Sequence, residues 1–427
     1  MARYIYHFLI FSLTLLTVVW KQGASNVIIL LALSWLLENN WKENGRRLNT
    51  SIVYKPFVAL FLLYVISFFI YQGKAEGFEL QKRLALFALP TVILGSKFFN
   101  KKTGVIGIIG FIIGVFIINV KASILSIFHY LEIGSLDFTN GELVYQLIHF
   151  QRPYIGAFST LSLGFCLLLF NETKNKTYRF LLIAAICFDI LIPNLIAAKL
   201  AMITQGLIII SFLFYRLYTF NKWISFGSAL CIPLIGIALF NFNPNVKTRF
   251  KQLINYEERN FLWPSTMAAM GNEKFHFFYG TGNERLSQEI LNEEYKKETQ
   301  IGLGTKWRFD CIALLEQYKI KNQFTIPPTY DANSSKGRWF WLYATKANRN
   351  THNQFLGLLL TYGLIGLSTL LLLIFSVLYK LWQTKNPYLF VTILVLGLFL
   401  TVENILATQH GVFVFSTFLP LFYREDH

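Results

Sequence analysis

Apolar stretches recur along this chain at lengths that a water-soluble core does not need. Twelve blocks can be drawn, at about 4–20, 24–37, 56–71, 84–96, 104–128, 153–171, 180–193, 195–215, 223–241, 353–379, 388–402 and 406–423. Most approach the ~20 residues that carry a helix across ~30 Å of hydrocarbon; those at 84–96, 180–193 and 388–402 are short. Inside hydrocarbon every backbone N–H and C=O must be satisfied within the protein, which leaves helices or closed barrels, and runs this long are helical. Composition agrees: 54% of the 427 residues are hydrophobic, 15% are charged and 42 are Phe, where a soluble domain carries about 25% charge. The expected fold class is therefore an all-α polytopic integral membrane protein of about twelve transmembrane helices, and the soluble domains that the length would otherwise suggest are excluded. The first block resembles the apolar region of a signal peptide. Ala24-Ser25 runs straight into the next block, however, so an uncleaved first span is expected.

The net charge of +16 is explained by topology. With the N-terminus cytoplasmic, the cytoplasmic segments hold sixteen Lys and Arg, among them Lys42, Arg46, Arg47, Lys97, Lys101, Lys102, Lys174, Lys176 and Arg179. The short opposite loops hold four: Lys21, Lys74, Lys82 and Arg83. That asymmetry is the positive-inside rule at work, and no nucleic-acid partner is implied. Cys166, Cys187 and Cys231 lie in spans and only Cys311 lies outside. The exported loop thus has no pair to form a disulfide, and no zinc-type Cys/His spacing occurs.

Three regions follow: an N-terminal membrane region over 1–241, a large loop over 242–351 on the non-cytoplasmic face, and a C-terminal membrane region over 352–427. A loop of that length is functional or carries structure of its own. Residues 284–297 read as a charged helix and 306–318 have apolar residues at helical spacing. Pro327-Pro328 and the 331–337 run mark turns before the chain returns to the membrane. A shorter external segment, 129–152, carries Glu132, Asp137 and Glu142. No internal repeat links the two halves, which weighs against a secondary transporter.

Ionisable residues within or at the ends of spans cost free energy and are functional candidates. Lys121, Arg152, Asp189, Lys199 and Glu403 qualify. Each can instead serve an internal ion pair, Asp189 with Lys199 for example, or snorkel to the interface. Arg152 precedes Pro153, which suits the first turn of the sixth span. Lys199 lies in a small-residue stretch, Ala197-Ala198-Lys199-Leu200-Ala201, that permits close helix approach. Because Pro193-Asn194 reads as the external turn, Lys199 is expected about one turn deep. His352 is the strongest local signal. Thr351 or Asn350 can cap the tenth helix, which would put His352 in its first turn. Continuous helix would then place Gly363 and Gly366 within about 20° and 40° of it, on one face open to close helix packing. The N-terminus of that helix offers unpaired N–H groups and a positive dipole end, which suits a phosphate and favours a neutral imidazole. A structural or interfacial histidine is the alternative.

These residues resemble the O-antigen ligase/polymerase family of bacterial envelope glycosyltransferases. His352-Asn353, nine residues, Gly363, two residues and Gly366 match that family's hallmark, at its usual place after the large loop. Arg259 and Trp263 look like its Arg-x-x-x-Trp, and Gly280-Thr281-Gly282-Asn283 like the turn that follows. Glu403 through Phe413 resembles its last external turn and final span. The resemblance covers most of the chain. It implies a metal-independent, inverting, type C-like glycosyltransferase of the bacterial inner membrane, without a cofactor and with its active site facing the periplasm. The donor would be a glycan on undecaprenyl pyrophosphate. A ligase passes it to lipid A–core, a polymerase to another repeat unit. By motif position His352 corresponds to the catalytic histidine, and Arg259 and Arg152 to arginines associated with pyrophosphate. Asn353, Trp263, Gly363, Gly366 and Glu403 would support the site. Lys199 stands where relatives carry arginine, so the bidentate fork is lost there. A protein O-oligosaccharyltransferase shares the layout, and a lipid-linked sugar transporter is the reading from another class.

Overall fold

The computed structural model describes residues 2–71, 74–134, 151–196, 198–220, 259–295, 297 and 350–423. In chain order the helices are α1 (Ala2–Val19), α2 (Lys21–Leu36), α3 (Trp41–Thr50), α4 (Tyr54–Tyr71), α5 (Lys74–Arg83), α6 (Ala85–Gly95) and α7 (Lys101–Ile133). There follow α8 (Arg152–Glu172), α9 (Lys176–Leu195), α10 (Lys199–Phe220), α11 (Arg259–Ala269) and α12 over 284–295. The last are α13 (Gln354–Thr384), α14 (Pro387–Val402) and α15 (Gln409–Leu421). Among the described residues the fold is all-helical, apart from one isolated antiparallel bridge between His276 and Gly280.

Six of these helices, α1, α4, α7, α8, α9 and α13, are long and apolar enough to cross a membrane by length and composition. The other expected blocks fall on α2, α6, α10, α14 and α15, except 223–241, which lies outside the described residues. Two helices form in segments expected as loops. In α3, Glu43 pairs with Arg46 and Arg47, and in α5, Glu79 pairs with Lys82 and Arg83. These i,i+3 and i,i+4 pairs are the spacings at which side chains meet on a helix.

The chain divides into two compact units, one of residues 1–229 with 369–427 and one of residues 230–368. In the first, the helix bundle, α1 lies along α7. A Cβ on Gly110 would sit 2.5 Å from the Phe11 carbonyl oxygen, and one on Gly114 would sit 2.7 Å from that of Leu15. Only glycine permits backbones this close. Asn100 starts α7 with a reciprocal capping box to Thr103, whose hydroxyl also meets His7 Nε2 at 3.2 Å. The abundant phenylalanines pay off in the interior, where Phe418 packs edge-on to Phe111 at 4.7 Å between centroids and near Phe165 at 5.5 Å. Glu38 is buried after α2, where it accepts from Ser96 Oγ and from Lys97 N at 3.0 Å, closing the turn that leads into α7.

The second unit, the loop unit, is built around Leu262, Ala269, Ile290, Leu291, Tyr295 and Leu360. Those residues come from α11, α12 and the first part of α13. The helix expected at 284–297 is present. The expectations for 306–318, 327–328 and 331–337 lie outside the described residues, as does most of 129–152.

Candidate functional site

In the loop unit the candidate motifs are joined through backbone. Gly363 has φ 60° and ψ −153°, so α13 breaks there despite its continuous apolar sequence. That conformation is essentially restricted to glycine. The break frees carbonyls and amides of the helix, and the 277–282 segment takes them up. Thr281 N donates to Leu360 O at 3.0 Å and Gly282 N to Thr361 O at 2.8 Å. In return Leu364 N donates to Phe277 O at 2.8 Å and Ile365 N to Phe278 O at 3.1 Å. Gly280, with φ 65°, faces Gly363 so closely that a Cβ on it would lie 2.6 Å from Gly363 N, and one on Gly363 would lie 2.5 Å from Gly280 N. A Cβ on Gly366 would lie 2.5 Å from that of Tyr362, because the break folds the preceding turn toward it. The two motif glycines therefore make a kink and a docking site for a loop, rather than the smooth helix–helix face expected from continuous helix.

Side chains reinforce the junction. Asn283 Oδ1 accepts from Leu286 N at 2.7 Å and starts α12. The Ser287 hydroxyl lies 3.0 Å from that of Thr361 and 2.6 Å from that of Thr281, all three buried. Trp263 packs against the core of the loop unit, on the helix that begins at Arg259. Its indole N–H is buried without a hydrogen-bond partner. Ser287 and Thr361 belong to no motif, Thr281 fills the variable position of its Gly-x-Gly turn, and nothing in their spacing signals that the three meet.

His352 stands one step outside its expected place. Asn353, not Thr351 or Asn350, caps α13: its Oδ1 accepts from Phe355 N at 3.0 Å and Leu356 N at 3.1 Å. His352 precedes that cap with φ 44°, in the left-handed region, and is half-buried. Asn350 Oδ1 accepts from its backbone N–H at 2.9 Å, and Thr351 Oγ1 donates to Asn353 O at 2.7 Å. A tight polar turn thus presents the imidazole ahead of the helix. Asn353 already occupies two of the N–H groups that the helix start would offer a phosphate.

In the helix bundle three other candidates gather at one end. Arg152 opens α8, followed by Pro153 in its first turn. A Cβ on Gly156 would lie 2.8 Å from that of Ala201 and 3.2 Å from that of Ala198, so α8 approaches the start of α10 through small residues, as their sequence suggested. Arg152 and Lys199 consequently sit at adjacent helix starts. Lys199 is the first residue of α10 and half-buried, not one turn deep. The reason is that α9 continues through Pro193 to Leu195, and Ala198 N donates to Pro193 O at 2.8 Å just ahead of α10. The buried Tyr154 donates from its hydroxyl to Asn404 O at 3.3 Å, tying α8 to the turn after α14 that carries the buried Glu403. Pro153, Tyr154, Phe399, Glu403 and Gly411 are among the residues lining a small pocket there. Thr408 then caps α15 by accepting from Gly411 N at 3.2 Å, and His410 Nδ1 donates to Thr17 O at 2.9 Å.

The remaining intramembrane candidates do not join this group. Lys121 lies on the exposed side of α7. Asp189 is fully buried on α9 and pairs with an amide, not with Lys199: Asn119 Nδ2 donates to its Oδ1 at 2.9 Å, and Ser159 Oγ donates to Asn119 Oδ1 at 3.2 Å. Gln205 Nε2 completes the network at the Asp189 carbonyl, 2.8 Å away. The sequence signal for Asn119, Ser159 and Gln205 was only their polarity inside apolar blocks.

No protein-family model matches the chain, and no curated protein does.

Proposed function

We propose that the chain is a membrane glycosyltransferase of the O-antigen ligase type. In this reading it takes a glycan from undecaprenyl pyrophosphate at the periplasmic face of a bacterial inner membrane and passes it to lipid A–core. Its architecture would be about twelve spans with a cytoplasmic N-terminus. The observation that supports the reading most is the docking of Gly280-Thr281-Gly282 on the break at Gly363. Two motifs that resemble one family's, far apart in the chain, depend on each other for their backbone conformation. Asn353 next to His352 has a matching use, as the cap that fixes where the helix begins.

The chemistry follows from the bond that breaks. An acceptor hydroxyl oxygen attacks the anomeric carbon from the face opposite the phosphate, so configuration inverts. The anomeric C–O bond to phosphate cleaves, and undecaprenyl pyrophosphate leaves with the electron pair. His352 takes the acceptor proton as general base. By motif position, Arg152, Lys199 and Arg259 are the cations that would stabilise the charge developing on the pyrophosphate. Lys199 does so as a point charge without a guanidinium's paired donors. Apolar helix faces hold the polyprenyl tail.

An O-antigen polymerase would use the same donor with another repeat unit as acceptor. Gel analysis of lipopolysaccharide from a deletion strain separates the two. The ligase reading predicts unligated polymer and bare core, which the intact gene restores. Core capped with a single repeat would assign the polymerase. Unchanged lipopolysaccharide with loss of glycoproteins would assign protein glycosylation instead.

A further inference from the structure

Residues 275–279 read Phe-His-Phe-Phe-Tyr, and three of these rings stand outside the core that the described residues of the loop unit form. Phe277, Phe278 and Tyr279 are each 57% exposed. They are displayed by a rigid hairpin. His276 N donates to Gly280 O at 3.0 Å, Gly280 N donates back to His276 O at 2.6 Å, and the His276 ring stacks on Tyr279 at 4.0 Å. Phe278 N donates to His276 Nδ1 at 3.3 Å. Three neighbouring aromatics held out by a braced turn are costly in water, and a contiguous apolar patch of this kind marks an interaction surface.

The place where the hairpin is anchored identifies what it meets. Its carbonyls at Phe277 and Phe278 accept from Leu364 and Ile365, inside a helix long and apolar enough to cross a membrane. Beyond the break α13 runs on to Thr384, a match for the ~20 residues that cross the hydrocarbon, and the hairpin is bonded at the start of that stretch. Ile365, the hairpin's last contact, is itself 49% exposed. A loop bonded to the first residues of such a stretch would meet the boundary of the hydrocarbon. Lipid tolerates non-helical backbone only where its polar groups are satisfied. Here Phe277 O, Phe278 O, Phe278 N and both polar groups of His276 and Gly280 have partners, which leaves the Phe277 N–H and the Tyr279 N–H and C=O to the headgroups and water of the boundary. Aromatic side chains with and without a hydroxyl are those enriched at the boundary between hydrocarbon and headgroups.

We propose that Phe277, Phe278 and Tyr279 form an interfacial finger that inserts into the lipid bilayer beside α13, anchoring the loop unit to the membrane through the break at Gly363. The test places a nitroxide at position 277, 278 or 279 by cysteine substitution (Phe278→Cys, for instance) in the full chain without its native cysteines. The protein is reconstituted in phosphatidylcholine–phosphatidylglycerol vesicles, and only monodisperse preparations are read. A label at Glu273, exposed on the same segment, is the aqueous reference. Accessibility to dissolved oxygen relative to a water-soluble nickel chelate should be several-fold higher at the three finger positions than at Glu273. A ratio equal to that at Glu273 would place the finger in water and overturn the proposal. Exclusion of both reagents would show protein covering the rings and overturn it equally.

Discussion

Gly363 in the loop unit and Gly156 in the helix bundle both let backbone come close to a neighbour, but for different physical reasons. Gly156 has an ordinary helical conformation, and what it provides is space: the obstruction to a side chain there is Ala198 and Ala201 across the helix pair. Gly363 provides conformation as well as space, because its φ and ψ lie where other residues are strained and its neighbours are backbone atoms of the 277–280 turn. Packing of side chains therefore sets the approach of the helix starts carrying Arg152 and Lys199. Shared backbone hydrogen bonds set the surroundings of the His352 motif. A side-chain contact can be compensated by a second substitution, whereas a backbone conformation cannot.

The largest loss is expected for Gly363→Ala and Gly280→Ala. Each adds backbone strain to a clash, together on the order of 3 kcal/mol, and thermal unfolding in detergent should drop accordingly. No partner substitution should restore either one; a rescue would show that space alone is the constraint. Gly156→Ala should cost about 1–3 kcal/mol through overpacking, and Gly156→Ala with Ala201→Gly should recover most of it. Failure of that pair to recover would mean the bundle contact is not set by the two Cβ atoms.

Smaller effects refine the comparison. Asn353→Ala removes the cap ahead of which His352 sits and should cost about 1 kcal/mol, while Asn353→Asp, which keeps the accepting oxygen, should cost less. In the bundle, burial raises the Glu79 carboxyl, but the charge and hydrogen bonds of Arg83, with those of Lys82, outweigh it and hold it below its usual value. A carboxyl depressed on folding stabilises the protein above its unfolded-state value, and that contribution disappears as pH falls through the lowered one. The advantage of the wild type over Glu79→Gln should accordingly be full near neutral pH and shrink on acidification below about 4.5. A difference independent of pH would make it a packing effect.

The long helices were legible because a spanning helix has to be apolar along its length, and a run such as 104–128 has few other solutions. The close approach at 197–201 was legible as well, since small residues there leave little else for that surface to do, but its partner Gly156 was not. Nor was Gly363. A single glycine in an apolar helix is ordinarily tolerated without a break, and what makes it break is a loop some eighty residues earlier whose amides replace the lost helix bonds. The depth of Lys199 was misjudged for a related reason: Pro193-Asn194 has the composition of a turn, yet the helix runs through it to Leu195. Polar groups held by neighbours distant in the chain, such as Asp189 by Asn119, give no local pattern from which the partner could be read.

The proposed reaction is glycan transfer with His352 as the base. The most direct measurement uses the purified full chain in lipid vesicles, supplied with undecaprenyl-pyrophosphate-linked glycan and lipid A–core, and follows glycolipid product over time. The wild type should form product, while His352→Ala, with unfolding temperature unchanged, should lose at least about a hundredfold in rate. No consumption of donor by the wild type, or an equal rate from His352→Ala, would contradict the account.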